Sequence, residues 1–405
     1  RLSLVGSEMC IRDRSDCNVL QLDGSIVAPG FFDMHVHLRE PGREDKETIL
    51  TGTCAAAAGG FTGVACMPNT TPPLDNVGVI RWVFDMAAGS LVSVQPMAAV
   101  TKGRSGSELT EISDLFHAGV RSLTDDGSPV SNSEVMRRAL EYASMHDMVI
   151  STHSENRELS GNGVVHEGEI STRLGLTPWP SLAESTMVAR DILLAEFTGA
   201  RLHIQHVSSR RSLEQIRLAK ARGIEVTCEV TPHHVALTDE ACVEFDPNFK
   251  MNPPLGSHRD REAIFEALKD GTIDVIATDH APHTSEEKLV EFNYAPFGVV
   301  GLETAVGVIS RELIKSGHLD WPDVIRLFSP NPRKILRLPI PAIKEGAVAD
   351  LTLIDPDAAW TVQPGDFFSK GRNTPFGGWE LPSRPIGILN RGWIVVAPFA
   401  KELWS

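Results

Sequence analysis

The sequence predicts an α/β fold in which eight parallel strands, each followed by helix, close into a (β/α)8 barrel. Three observations carry that expectation. Short β-type runs alternate with helical patterns along the chain, which is the signature of a parallel sheet. Eight such repeats extend over about 250 residues, the usual size of a closed barrel. The alternative, an open doubly wound sheet, usually carries Gly-x-Gly-x-x-Gly after its first strand, and no such motif follows it here.

In chain order the strands are read as "SIVAPGFFDMHVH" (25–37), "GFTGVACM" (60–67), "LVSVQPMAAV" (91–100) and "GVRSLTDD" (119–126). They continue with "DMVISTH" (147–153), "ARLHIQHV" (200–207), "IEVTCEVT" (224–231) and "TIDVIATDH" (272–280). The intervening helical patterns include "KETILTGTCAAAAG", "SNSEVMRRALEYASMH", "AESTMVARDILLAEFTG", "SLEQIRLAKARG" and "DREAIFEALKDG". Several end in glycine, the residue that most easily adopts the left-handed turn closing a helix.

A barrel of this kind places its active site at the C-terminal ends of its strands. Those ends read His35 and His37, then Asn69, Asp125-Asp126, His153, His206 and Asp279, with His280 and His283 close behind. His233-His234 and later Asn252 follow the seventh strand. Residues i and i+2 of a strand share a face, so His35 and His37 project into one small volume. Taken singly, His153 or His206 reads as a satisfied core histidine, Asp125-Asp126-Gly127 as a turn, and Asp279 as a helix cap. Those separate readings leave unexplained why every one falls at the same end of its strand. Four imidazoles and two carboxylates converging on one mouth make a hydrolytic metal site, because neutral imidazole and carboxylate are zinc ligands. His117, His146, His166, His203, His258 and His318 fall elsewhere and read as surface or packing residues.

Composition narrows the partners. The 405 residues are 42% hydrophobic and 22% charged, ordinary for a soluble globular chain, with a net charge of −15. That charge argues against a nucleic-acid or anionic membrane surface, and no apolar run approaches the roughly 20 residues of a membrane span. The six cysteines, Cys10, Cys17, Cys54, Cys66, Cys228 and Cys242, form no Cys-x-x-Cys pair. A reducing cytoplasm is therefore expected, with cysteines packed as small apolar residues. The opening "RLSLVGSEMCIRDR" resembles translated adapter read-through, so residues 1–14 are expected to be non-native and the gene's true start missing.

"VAPGFFDMHVHLREPG", "MPNTTP", "TDDGSPV", "THSEN", "HIQHVSS", "CEVTPHH", "KMNPPL", "ATDHAPH" and "APFGVVGLET" occur in that order. Together they resemble a bacterial-type dihydroorotase of the amidohydrolase superfamily, from about residue 26 to "ADLTLIDPDAAWTV" and "GRNTPFGG". The resemblance implies one or two zinc ions held by His35, His37, Asp126, His153, His206 and Asp279. Many relatives use a carboxylated lysine at the fourth strand; here an aspartate stands in its place, and Asp126 is preferred over Asp125 from its position against Gly127. It implies reversible cyclisation of N-carbamoyl-L-aspartate to L-dihydroorotate, a step of pyrimidine synthesis, with Asp279 as base and then acid. Zinc would lower the pKa of water to about 7 and polarise the carbonyl. Arg39, Asn69 and His283 would bind the substrate's carboxylate, Asn252 its ring, and the backbone of Phe297-Gly298 the ring amide.

The same resemblance implies a TIM-type barrel over residues 29–340 beside a small β-sandwich formed from the chain ends. Residues 341–405 would supply one part of that small domain and 15–28 a remnant of the other, its N-terminal part being truncated. Exposed strand edges and poor solubility would follow. A homodimer and an aspartate transcarbamoylase partner are also family expectations. Two other readings remain: another cyclic amidohydrolase, allantoinase- or hydantoinase-like, and a non-catalytic scaffold for the transcarbamoylase. The first normally carries the fourth-strand lysine, and the second loses metal ligands that this sequence retains.

Overall fold

The computed structural model of the chain describes residues 22–396. The expectations for residues 1–14, for 15–21, for the end of the small domain at 397–405, and for Cys10 and Cys17 lie outside the described residues. Sixteen strands are found among those described, beginning with β1 (Ile26–Pro29), β2 (Phe31–Val36), β3 (Phe61–Cys66), β4 (Ser93–Pro96), β5 (Ser122–Leu123) and β6 (Val149–Thr152). Next come β7 (Val165–His166), β8 (Pro178–Trp179), β9 (Arg201–Ile204), β10 (Val226–Val230) and β11 (Val275–Ile276). The last are β12 (Leu351–Asp355), β13 (Trp360–Thr361), β14 (Glu380–Leu381), β15 (Arg384–Asn390) and β16 (Trp393–Val396).

Parallel pairing runs β2-β3-β4 in one sheet and β5-β6-β9-β10-β11 in another. Two parallel bridges, Ala98 to Leu123 and Val36 to His280, join the sheets at both seams. The result is a ring of eight parallel strands, and it leaves no open edge at either seam. Helices cross between consecutive strands, among them Ile49–Ala58, Ser133–Ser144, Leu182–Thr198, Arg210–Ala221 and His258–Lys269. Their starts are fixed locally. The Asn132 side chain accepts from the Glu134 and Val135 amides, and Ser257 and Asp260 form a reciprocal capping box. Gly199, at φ 66°, closes the longest of them in the left-handed region.

One sequence expectation is corrected. "SIVAPGFFDMHVH" is not one strand but two, divided at Gly30. β1 leaves the ring to pair antiparallel with β12, giving a four-stranded sheet ordered β1-β12-β15-β16. Gly30 is where the chain changes sheets because its backbone is pinned on both sides. Its amide donates to Asp350 at 2.9 Å, and its carbonyl accepts from Ser329 and Arg333. A Cβ there would strike the Asp350 carboxylate and the Thr62 hydroxyl. Only glycine fits so close an approach.

The two ends of the ring differ in chemistry. At the N-terminal end Phe31, Phe61 and Phe328 are fully buried, with ring centres 5.2 to 6.3 Å apart. Each such side chain contributes about 1.5–3 kcal/mol by burial. The C-terminal end instead collects buried polar groups, including His35, Asp126, Glu229 and Asp279. Buried polar groups are costly unless paired, so that end is where the fold's function lies.

Candidate metal centre

Six side chains from five strand ends meet there. His35, fully buried on β2, directs Nε2 towards Asp279 Oδ1 at 3.3 Å and Asp126 Oδ1 at 3.5 Å. His37 Nε2 lies 3.0 Å from the same Asp279 oxygen and 3.5 Å from Asp126 Oδ2. His153 Nδ1 and His206 Nε2 face each other at 2.9 Å, and each is 3.7 Å from Asp126 Oδ1. Two trios, His35-Asp126-His206 and His35-His37-Asp279, bring their ligand atoms within 4.8 Å of one another. His35 Nε2 is buried with no hydrogen-bond partner. An orphaned imidazole nitrogen facing two carboxylates is what a cation site looks like in protein atoms alone.

Asp126 and Asp125 are separated cleanly. Asp125 accepts from the Val100 and Thr101 amides and the Thr101 hydroxyl, so its carboxylate is consumed by the backbone. Asp126 alone of the two faces the imidazoles. Its two oxygens divide between them, Oδ2 towards His37 and Oδ1 towards His35, His153 and His206.

The charges reinforce this arrangement. Burial would raise the Asp279 and Asp126 carboxyls, but the neighbouring imidazoles, His35 foremost, hold both below the usual carboxylate range. Burial likewise opposes charge on His35, yet Asp279, Glu229 and Asp126 outweigh it and raise its pKa well above the ordinary value. His37 is lowered by burial and by Arg39.

Behind the cluster stand residues that sequence reading missed. Glu229 on β10 accepts from His35 Nδ1 at 2.5 Å and from His203 Nε2 at 3.1 Å. His203, read as a surface or packing residue, is fully buried and holds this glutamate. Glu155 Oε2 lies 3.1 Å from His153 Nε2 and 3.2 Å from Asn252 Nδ2. A carboxylate inside an apolar strand such as "CEVT" was the available signal, since it has to find a partner. His233 also lies beside the cluster, buried, with an unpartnered Nε2 and a pKa driven well below normal by burial.

The residues expected to meet substrate are placed as follows. Arg39 follows His37 in a left-handed conformation, φ 61°, and donates from Nε to the Pro282 carbonyl at 3.2 Å. Burial pushes its guanidinium down to about 10. Asn69 Oδ1 accepts from His37 Nδ1 at 2.9 Å, so it orients a candidate ligand. His283 donates from Nε2 to the Phe297 carbonyl at 2.8 Å, and its Nδ1 accepts from Lys46 at 3.1 Å. Asn252 keeps Oδ1 buried and unpartnered. Gly298, at φ 123°, packs so closely on Ala281 that a side chain would collide. A cavity of about 530 Å³ opens beside Asn252 and Phe297, lined also by Glu155, Lys250 and Tyr294.

A closed parallel ring with a buried His and Asp cluster at its C-terminal mouth defines an enzyme of the amidohydrolase type, a hydrolase of cyclic amides. The family described as dihydro-orotase-like matches residues 24–212. A dihydroorotase of Pelotomaculum thermopropionicum is 53% identical across 93% of this chain and 88% of its own length. One of Syntrophus aciditrophicus is 51% identical across 94% and 89%. Among solved structures, an L-hydantoinase from Arthrobacter aurescens superposes with a TM-score of 0.84 at 23% identity, covering 95% of this chain and 89% of that one, which shows a shared fold. The chain belongs to the dihydroorotase family. Among the described residues no helix is long and apolar enough to cross a membrane.

Proposed function

We propose that this chain is a zinc-dependent dihydroorotase, interconverting L-dihydroorotate and N-carbamoyl-L-aspartate for pyrimidine synthesis. The observation that carries the reading is the cluster around Asp126, complete in a chain about half identical to dihydroorotases. Four imidazoles and two carboxylates suit zinc, whose usual ligands are nitrogen and carboxylate oxygen. Asp126, with Oδ2 towards His37 and Oδ1 towards the other imidazoles, would be among the residues holding the metal, together with His35, His37, His153, His206 and Asp279. Zinc bound there would supply a Lewis acid for the amide carbonyl and an acidified water.

The chain's own groups account for the remaining chemistry. Ring opening forms a carbon–oxygen bond from water and breaks the carbon–nitrogen bond of the cyclic amide. Asp279, held ionised by His35 and His37, takes the proton from the water and returns it to the departing ring nitrogen. Arg39 supplies a planar fork for the substrate carboxylate. Its left-handed backbone, costly for a residue with a side chain, aims that fork. Asn252 and the Phe297–Gly298 backbone would meet the ring, with His283 held beside them.

We assign residues 29–340 to a TIM-type barrel, and the described residues 22–28 and 341–396 to the small β domain, a division supported by the pairing of β1 with β12. The hydantoinase-like reading is disfavoured by Thr124-Asp125-Asp126 at the fourth strand, where a lysine would stand. The scaffold reading is disfavoured by the retained ligand set. A substrate panel decides: dihydroorotate should be opened at least 100-fold more efficiently than hydantoin or allantoin. The reverse preference would move the chain to another activity.

A further inference from the structure

Two buried lysines take no part in that chemistry, yet both hold the segment that borders the cavity beside Asn252 and Phe297. Lys288 ends the short helix Ser285–Lys288 and is 7% exposed. Its ammonium donates to the main-chain carbonyls of Pro296 at 2.8 Å and Pro247 at 3.0 Å, and reaches that of Lys250 at 3.5 Å. Lys250 is 2% exposed and donates to the carbonyls of Phe292 at 2.8 Å and Asn293 at 3.0 Å, with Nζ 4.7 Å from the Phe297 ring centre. Among the described residues neither forms an ion pair. Burying a cation without a carboxylate is expensive, so a structural convenience is a poor explanation for two.

The bonds show what the cations hold. Three carbonyls around Lys288 use all three hydrogens of an ammonium, one more than a neutral amine offers. Every partner but Pro247 and Lys250 lies in the segment 292–296, just ahead of Phe297–Gly298. The Gly298 amide in turn donates to the Lys250 carbonyl at 3.0 Å, and Asn373 Nδ2 donates to the Gly298 carbonyl at 3.1 Å. At the segment's other end Glu287 pairs with Lys46 at 2.8 Å and Arg43 at 3.0 Å, both in the loop after β2 that carries Arg39. Phe292 and Ala295 anchor this stretch by burial, but Tyr294 between them is 81% exposed, so the lysine bonds to the Phe292, Asn293 and Pro296 carbonyls add the hold on the main chain. Burial pushes the Lys250 ammonium down to about 8 and that of Lys288 to about 7, which registers the cost of placing them here.

We propose that Lys250 and Lys288 are positioning residues for the substrate. They fix the 291–298 backbone so that Phe297, Gly298 and His283 meet the ring in one geometry. The inference rests on the dihydroorotase reading, and its test separates the two. Lys250→Met and Lys288→Met keep length and remove the donors. Each is expected to raise KM for dihydroorotate about 10-fold or more, with kcat within about threefold and zinc content unchanged. Chymotrypsin should cut after Leu289 and Tyr294 faster in both variants, and saturating dihydroorotate should slow it again. Lys288→Gln, which keeps a shorter polar donor in place, is the second variant if a methionine variant fails to fold, and should raise KM by a smaller factor with kcat kept. Unchanged KM and unchanged cleavage in folded variants would overturn the proposal. A parent with no dihydroorotate turnover would instead overturn the reading it rests on, while the cleavage comparison would still report on the two lysines.

Discussion

Replacing Glu229 by glutamine should weaken metal binding and folding together. Glu229 accepts from His35 Nδ1 at 2.5 Å, which orients the ring so that Nε2 faces Asp126 and Asp279. Glutamine keeps the shape and loses the charge, so His35 becomes a weaker ligand. Removing such a partner costs about 10–100-fold in metal affinity. The stability effect follows from the acid's own pKa. Burial would raise it, but His35 and His203 outweigh burial and hold it at about 2 rather than the ordinary 4.5. At about 1.4 kcal/mol per pH unit, that drop corresponds to roughly 3 kcal/mol. Because the folded pKa is the lower one, this stabilisation is complete above pH 4.5 and disappears as pH falls through 2. Chelator competition for zinc and denaturant unfolding of metal-free protein at pH 7 measure the two effects. A Gln variant with parental zinc affinity and parental stability would refute the argument.

Two further outcomes follow from charges in place. Arg39→Lys keeps the charge but loses the two-pronged fork, and KM for dihydroorotate should rise about 10- to 100-fold, checked by steady-state kinetics; an unchanged KM would remove Arg39 from the carboxylate site. Glu303 accepts from the Phe368 and Ser369 amides at 3.1 Å each, yet burial pushes it up to about 7. Its folded pKa exceeds the unfolded 4.5, so the parent loses stability as pH rises from 4.5 through 7. Glu303→Gln should lack that loss and be roughly 2–3 kcal/mol more stable than the parent at pH 8, with little difference near pH 4.5. Parallel stability profiles for the two proteins would contradict it.

What the sequence made legible was whatever depends on local pattern. Apolar runs of strand length gave all eight ring strands, and polar residues at their ends gave the six-membered cluster, because an expensive residue type repeated at one position is visible without contacts. The division at Gly30 was hidden, since β1 and β2 are both apolar and only Asp350, Thr62 and Arg333, far along the chain, mark the change of sheet. Glu229 was hidden for a similar reason: its partner His35 is 194 residues away. Asn69 was read as a substrate donor; its oxygen accepts from His37, a contact 32 residues away that the sequence did not show, and its amide remains a donor. Lys250 stands in the quoted motif "KMNPPL" and Lys288 on a short helix, but only the carbonyls they gather reveal what either cation holds.

The central claim is tested most directly by the loss of dihydroorotate absorbance with zinc-loaded protein, run beside Asp279→Asn at equal zinc content. The account predicts turnover by the parent and a fall of roughly 10²- to 10⁴-fold in the variant, the range for removing a proton-transferring group. A folded, zinc-containing parent that leaves dihydroorotate untouched, or an Asp279→Asn variant as fast as the parent, would contradict it.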